Sequence, residues 1–185
     1  VPLEEVTKLM RGRAKAVNFG IVYGISDFSL AKDLKNTKKE AKEYIDIYFD
    51  RYPGIKEYLN GIISVAREHG FVKTILNRRR AIPEINASNK IVRSLGERLA
   101  MNAPIQGSAA DIIKLAMVKV YNELRENKLK SKLILQVHDE LIVNVYLDEL
   151  PQVQKIVKEA MEGVLELLVP LETDMHTGKD WYEAK

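Results

Sequence analysis

The sequence predicts an α+β protein, and three observations carry that expectation. Most of the first two thirds reads as amphipathic helix with capping signals, and the strip "LILQVHDELIVNV" at 133–145 reads as two apolar strands around a polar tip. A further amphipathic helix follows that strip. Helices first, then an antiparallel β-hairpin packed by helices, is an α+β pattern rather than an alternating α/β one.

The elements follow in chain order. "MRGRAKAVNFGIVYG", residues 10–24, is helical: at about 100° per residue, Met10, Ala14, Val17 and Ile21 form one apolar stripe expected to dock on a core. Gly12 weakens that helix by about 1 kcal/mol relative to Ala. "NTKKEAKEYIDIYFDRYPG" opens on Thr37 with Glu40 three residues later, a capping box, and Pro53-Gly54 stops it. "IKEYLNGIISVAREHG" is a helix closed by Gly70. "FVKTILNRRRAIPEI" is a short ribbon turning at Asn77, a residue type that tolerates left-handed backbone. "SNKIVRSLGERLAMNA" and "SAADIIKLAMVKVYNELREN" are two helices separated by Pro104. "LPQVQKIVKEAMEGVLELL" is another, with Pro151 in its first turn, and "PLETDMHT" is expected to add a final strand.

At 185 residues the chain can bury one sizeable core or two small ones, and no repeat, linker or low-complexity tract marks a boundary. It has no cysteine, so nothing asks for a disulfide or thiolate metal site, and a reducing compartment fits. No run reaches the length of a membrane span and no signal-like start is present. The first residue is Val1, which fits a piece of a longer chain. A net charge of +3 argues for no partner by itself, but its distribution is uneven. No acid falls between Glu5 and Asp27, where Lys8, Arg11, Arg13 and Lys15 lie, and Arg78, Arg79 and Arg80 form a second cluster.

Two patterns point to chemistry. Arg11, Lys15, Phe19 and Tyr23 recur every four residues, nearly opposite the apolar stripe. Cations at one end suit phosphates, and aromatics at the other offer faces on which a base or sugar rests. The same stripe also fits aromatics packed on a neighbour beside solvated cations. The second pattern is His138, Asp139 and Glu140 in an apolar strip, which marks a plain hairpin turn or carboxylates held by flanking strands.

These residues carry a resemblance. "RGRAKAVNFGIVYG" resembles motif B of the family A DNA polymerases, the group of bacterial DNA polymerase I, and "QVHDELI" is similar to its motif C. "TILNRRRAIPEI", "ERLAMNAPIQGSAAD" and the ending "GKDWYEAK" also look like the family, so the likeness spans essentially the whole chain. It implies template-directed DNA synthesis in replication and repair, in the bacterial cytoplasm, with a helical fingers portion over residues 1–75 and a partial palm over 76–185. Arg11, Lys15, Phe19 and Tyr23 would bind the incoming deoxynucleoside triphosphate, Lys15 with a catalytic part. Asp139 would hold metal with Glu140 beside it. Ser26, Arg78, Arg79, Arg98, Asn102, Gln106 and His138 would meet primer-template DNA. Gly12 stands where a second Arg is common and Asn77 where Gly is usual.

The implied cofactor is Mg²⁺, a pair of ions about 4 Å apart that activate the primer 3′-oxygen and neutralise the leaving pyrophosphate. The family's other essential Asp, in a motif A strand close to Asp-Tyr-Ser-Gln-Ile-Glu, has no counterpart here, nor do the thumb, the first part of the fingers or an exonuclease domain. The two-metal site is therefore expected to be incomplete, the chain to be inactive alone, and the upstream part of a longer polymerase to be its partner, with no membrane involved. Two alternatives stand: a non-catalytic nucleic-acid-binding module with a polymerase-like fold, and a relative of the single-subunit RNA polymerases. Glu140 and Phe19 favour DNA synthesis over the latter.

Overall fold

The computed structural model describes residues 1–184. The chain forms two compact units, Val1–Gln106 and Gly107–Lys185. The expected division between fingers and palm at 75/76 is one of role, whereas this one follows packing.

The first unit begins with α1 (Lys8–Val22), whose N-cap Thr7 accepts a hydrogen bond from the Met10 N–H at 3.2 Å. Its C-cap is Tyr23, and Gly24 follows with φ of +69°. Next is α2 (Asp27–Leu34), a helix not picked out from the sequence although Ser26 caps it, accepting from Ser29 N–H at 3.1 Å. In α3 (Lys38–Arg51) both bonds of the expected capping box form: Glu40 N–H donates to Thr37 Oγ1 at 3.3 Å, and Thr37 N–H to Glu40 Oε2 at 2.8 Å. Pro53 ends that helix and also opens α4 (Pro53–His69), where its missing N–H costs nothing; Gly70 closes α4 in the left-handed conformation.

The ribbon is β1 (Phe71–Lys73) paired antiparallel with β2 (Arg79–Ala81), and Asn77 has the expected positive φ, 63°. Two clusters hold this unit. Leu30, Ala31, Leu34 and Ala41 receive Ala16, Val17 and Ile25, and Ala66, Val72, Ile82, Ile85, Ala100 and Ala103 form the other.

The expected break at Pro104 does not occur: α5 runs unbroken from Lys90 to Glu126 with Pro104 inside it. Pro104 removes one i→i−4 bond, and its ring crowds the carbonyl of Ala100. Ala100 and Ala103 are buried in the apolar cluster, so packing on this turn offsets that local cost.

The second unit holds β3 (Lys132–Val137) and β4 (Glu140–Asn144), an antiparallel pair, then α6 (Leu150–Glu162). Leu133, Leu141, Val143 and Val145 pack on Val120, Leu124, Val153, Ile156, Val157 and Ala160. Pro151 sits in the first turn of α6 as expected, but the helix stops at Glu162 with Gly163 as C-cap, short of the expected 168. Residues 170–177 form no strand. α+β is the class observed, helices with two antiparallel pairs.

Candidate nucleic-acid interface

The apolar stripe of α1 is only half used. Val17 packs on the first core cluster and Ile21 is buried, but Ala14 is exposed and Met10 is 44% exposed. Periodicity gives the face of a helix, not the length over which something lies beneath it. The same back face, with Arg13, Ala14, Val17 and Asn18, lines a groove of about 380 Å³ opposite Tyr44 and Tyr48 of α3 and its C-cap Tyr52.

The opposite stripe is a ladder. Lys15 Nζ lies 5.8 Å from the centroid of the Phe19 ring, within cation–π range, and the Phe19 and Tyr23 rings lie 6.1 Å apart and tilted by 30°. Phe19 is 50% and Tyr23 39% exposed, so both rings keep a face toward solvent. Packing on a core neighbour, the other reading of these aromatics, does not account for that exposure.

The ladder ends against α5. A Cβ built on Gly24 would overlap the Cε of Met101 and lie 3.2 Å from Cγ of Arg98. Positive φ together with so close a side chain favours Gly at this position. The tight turn thereby sets the end of α1 against Arg98 and Met101 of α5, the helix that also carries Asn102 and Gln106. Arg98 and Gln106 are exposed, while the Oδ1 of Asn102 is buried without a hydrogen-bond partner among the described residues. An orphaned buried acceptor costs about 1–3 kcal/mol, so that atom calls for a donor from another molecule or chain segment.

Ser26 and the arginine ribbon are placed as follows. The Ser26 hydroxyl accepts from the Ser29 N–H and donates to Ser29 Oγ at 3.1 Å, so its first use is as a helix cap. Arg79 lies over Phe71 at 4.7 Å from the ring centroid, and His69 stacks on the same ring at 5.9 Å. Arg78, Arg79 and Arg80 are all exposed, which gives the ribbon a cationic surface.

In the second unit His138 and Asp139 are the two turn residues between Val137 and Glu140, a cross-strand pair. The turn is therefore a real hairpin turn, and all three ionisable groups are exposed at its tip. His138 has φ of 53° while Asp139 is not in the positive region, the sign pattern of a type II′ turn, whose first position ordinarily takes Gly. A non-Gly residue there stores roughly 1–3 kcal/mol. The Gln136 side-chain amide donates to the His138 carbonyl and braces the turn. No group of three or more His, Asp or Glu positioned for a metal occurs among the described residues. Asp139 and Glu140 are the hard oxygen donors Mg²⁺ prefers, but too few to make its site alone.

Sequence reasoning missed three contributors. Gly24 was quoted within a motif without a role, although a Gly directly after a helix-ending Tyr is a signal for positive φ. Gln136 and the Ser131–Glu149 contact gave no local signal, because their partners lie across a turn or on another element.

Comparison with known proteins follows the same residues. The sequence model of the family described as DNA polymerase family A matches residues 1–183. DNA polymerase I of Lactococcus lactis subsp. cremoris is 58% identical over 182 residues, covering 98% of this chain and 21% of that protein. DNA polymerase I of Caldicellulosiruptor bescii is 55% identical over 185 residues, covering 100% of this chain and 22% of its own. The chain thus spans about a fifth of the length of these relatives. Among solved structures, the POL domain of Pol1 from M. smegmatis in complex with DNA primer-template and dNTP is similar over the whole chain, with a TM-score of 0.96 and 44% identity, covering 32% of that chain.

Proposed function

Because the chain belongs to DNA polymerase family A, we propose that it is the part of a template-directed DNA polymerase that receives the incoming nucleotide and presents one catalytic carboxylate. The observation that carries this reading is the exposed Lys15–Phe19–Tyr23 ladder ending at the Gly24 turn against Arg98 and Met101.

In this reading Arg11 and Lys15 hold the triphosphate by charge-assisted bonds, and the Phe19 face receives the base and sugar. Tyr23 borders the template side, next to the α5 face on which Arg98, Asn102 and Gln106 meet primer and template. Arg78 and Arg79, with Ser26 and His138, make further DNA contacts. Residues 1–75 act as fingers and 76–185 as palm. Primer-template DNA, deoxynucleoside triphosphates and the remaining polymerase chain are the partners, and the bacterial cytoplasm is the setting. The relatives' identity as DNA polymerases, at 55–58% over the whole chain, favours DNA over RNA synthesis.

Asp139 supplies one oxygen ligand toward the Mg²⁺ that the family's chemistry uses, with Glu140 adjacent. The described residues do not assemble a complete metal set. The metal-dependent step belongs to the complete protein, to which this chain would contribute Asp139 and Glu140.

The experiment compares primer extension by this chain alone and by the longer polymerase that contains it. Extension only in the longer protein, with Lys15→Ala impairing nucleotide use and Asp139→Asn removing turnover, is the expected result. Steady template-dependent extension by the chain alone would overturn the assignment of its missing carboxylate to another segment.

A further inference from the structure

The β3–β4 pair is a two-stranded sheet with no third strand beside it among the described residues, so no neighbouring strand holds its base together. Its pairing also changes register midway: Leu133 faces Val143, but Leu135 faces Ile142, with Ile134 as the extra bulge residue. The apolar packing beneath, Leu133, Leu141 and Val143 on α5 and α6, fixes which face is buried but supplies no directional bond where the two strands end.

Directional bonds close the open end instead. Glu149 Oε1 accepts from the Lys130 N–H at 2.9 Å, and Oε2 accepts from the Ser131 N–H at 2.9 Å and the Ser131 hydroxyl at 2.6 Å. Ser131 Oγ in turn accepts from the Tyr146 N–H at 3.0 Å. These bonds tie the segment entering β3 to the segment leaving β4. Ser131 is only 3% exposed, so its hydroxyl is committed to this knot, and Lys130 Nζ lies 5.5 Å from the Tyr146 ring across the same gap.

We propose that Ser131 and Glu149 are positioning residues: their clasp fixes the base of the hairpin and so the place of the Asp139 carboxylate at its tip. The proposal rests on the reading of that tip as part of the catalytic centre. The strands run five to six residues from base to tip at about 3.3 Å each, so a tilt of the base is carried to the carboxylate. Misplacing a reacting group by about 1 Å can already cost a factor of about 100 in rate. The clasp thus acts on catalysis without touching substrate.

The test uses the complete polymerase. Glu149→Ala and Ser131→Ala are expected to lower the single-turnover rate at saturating nucleotide by at least about tenfold, with primer-template affinity and nucleotide KM unchanged. Ser131→Thr, which keeps the hydroxyl, is expected to recover most of the rate, whereas Glu149→Gln, which sets an NH2 against one of the backbone N–H donors, recovers only part. Wild-type rates in both alanine variants would overturn the proposal, and so would rate losses that only follow the unfolded fraction in thermal melts. Asp139→Asn is the control: if it turns over normally, the reading of the tip fails, whereas if it is dead while both alanine variants are normal, only the clasp fails.

Discussion

Gly24 and Met101 approach so closely that a single added methyl on Gly24 would occupy the place of the Met101 Cε. The contact joins the aromatic end of α1 to α5, and φ of +69° at Gly24 adds a backbone reason for the same residue. Gly24→Ala is expected to destabilise the protein by about 1–3 kcal/mol through strain and crowding together. Because Met is flexible, Met101→Ala in the same chain is expected to return the crowding part and leave the φ part. Denaturation of the two single variants and the double variant separates them as a coupling energy.

Lys15, Asp139 and Met10 are expected to fail in three different ways in the complete enzyme. Lys15→Ala weakens nucleotide use, and Asp139→Asn removes turnover while DNA affinity stays. Met10 is 44% exposed, so Met10→Ala costs at most about 1 kcal/mol, not the ~2–5 kcal/mol of a buried position. Melting curves, DNA titrations and single-turnover rates distinguish the three. A Lys15→Ala enzyme that melts early but turns over normally would put the functional stripe on the wrong side of α1.

The capping box of α3 predicts an acid-dependent stability. Hydrogen bonds from the Thr37 side chain, and then from its backbone N–H, hold the Glu40 carboxyl below its ordinary pKa. For a depressed carboxyl the stabilisation is present above the unfolded-state pKa and is lost as pH falls through the folded one. Thr37→Ala, which removes the N-cap hydroxyl and its bond to Glu40, is expected to lower stability at neutral pH. Its deficit relative to the parent narrows on acidification, readable in paired denaturation curves. A deficit independent of pH would remove Glu40 from the account.

The cationic ribbon predicts a salt-dependent affinity for DNA without sequence preference. Binding by this chain is expected to weaken linearly in log–log plots against salt, as counterion release requires. Replacing Arg78 and Arg79 together by Ala should reduce the slope by about 1–2 if each meets a phosphate. Binding that is unchanged from low to high salt would show that the ribbon makes no phosphate contacts.

What the sequence made legible was mostly local. Thr37 with Glu40, Gly70 and Asn77 each act within a few residues, and each does in the structure what its residue type foretold. The four-residue spacing of Lys15, Phe19 and Tyr23 likewise foretold that their side chains share one face, because a fixed helical period leaves the direction of a side chain little freedom. Pro104 misled because the burial of Ala100 and Ala103, a tertiary fact, decides whether a helix carries a proline through. Met10 misled because periodicity cannot tell where the core beneath a helix ends. The end of α6 at Glu162 rather than 168 was announced by Gly163, yet the apolar run beyond it outweighed that signal. The resemblance pointed to Asn102 but not to its orphaned buried acceptor, and Glu149 lay beyond reach because its partners are 18 and 19 residues away.

The bulge at Ile134 makes the two arms of the hairpin unequal in their tolerance of length change. The pairs Leu133–Val143 and Leu135–Ile142 become consecutive if Ile134 is deleted, so every other pairing survives and only the local bend is lost. Deleting Leu141 from β4 has the opposite effect, adding a second offset to the first and turning side chains between it and the turn to the other face. Natural or engineered deletions in this region should therefore accumulate on β3, at one position, while β4 keeps its count.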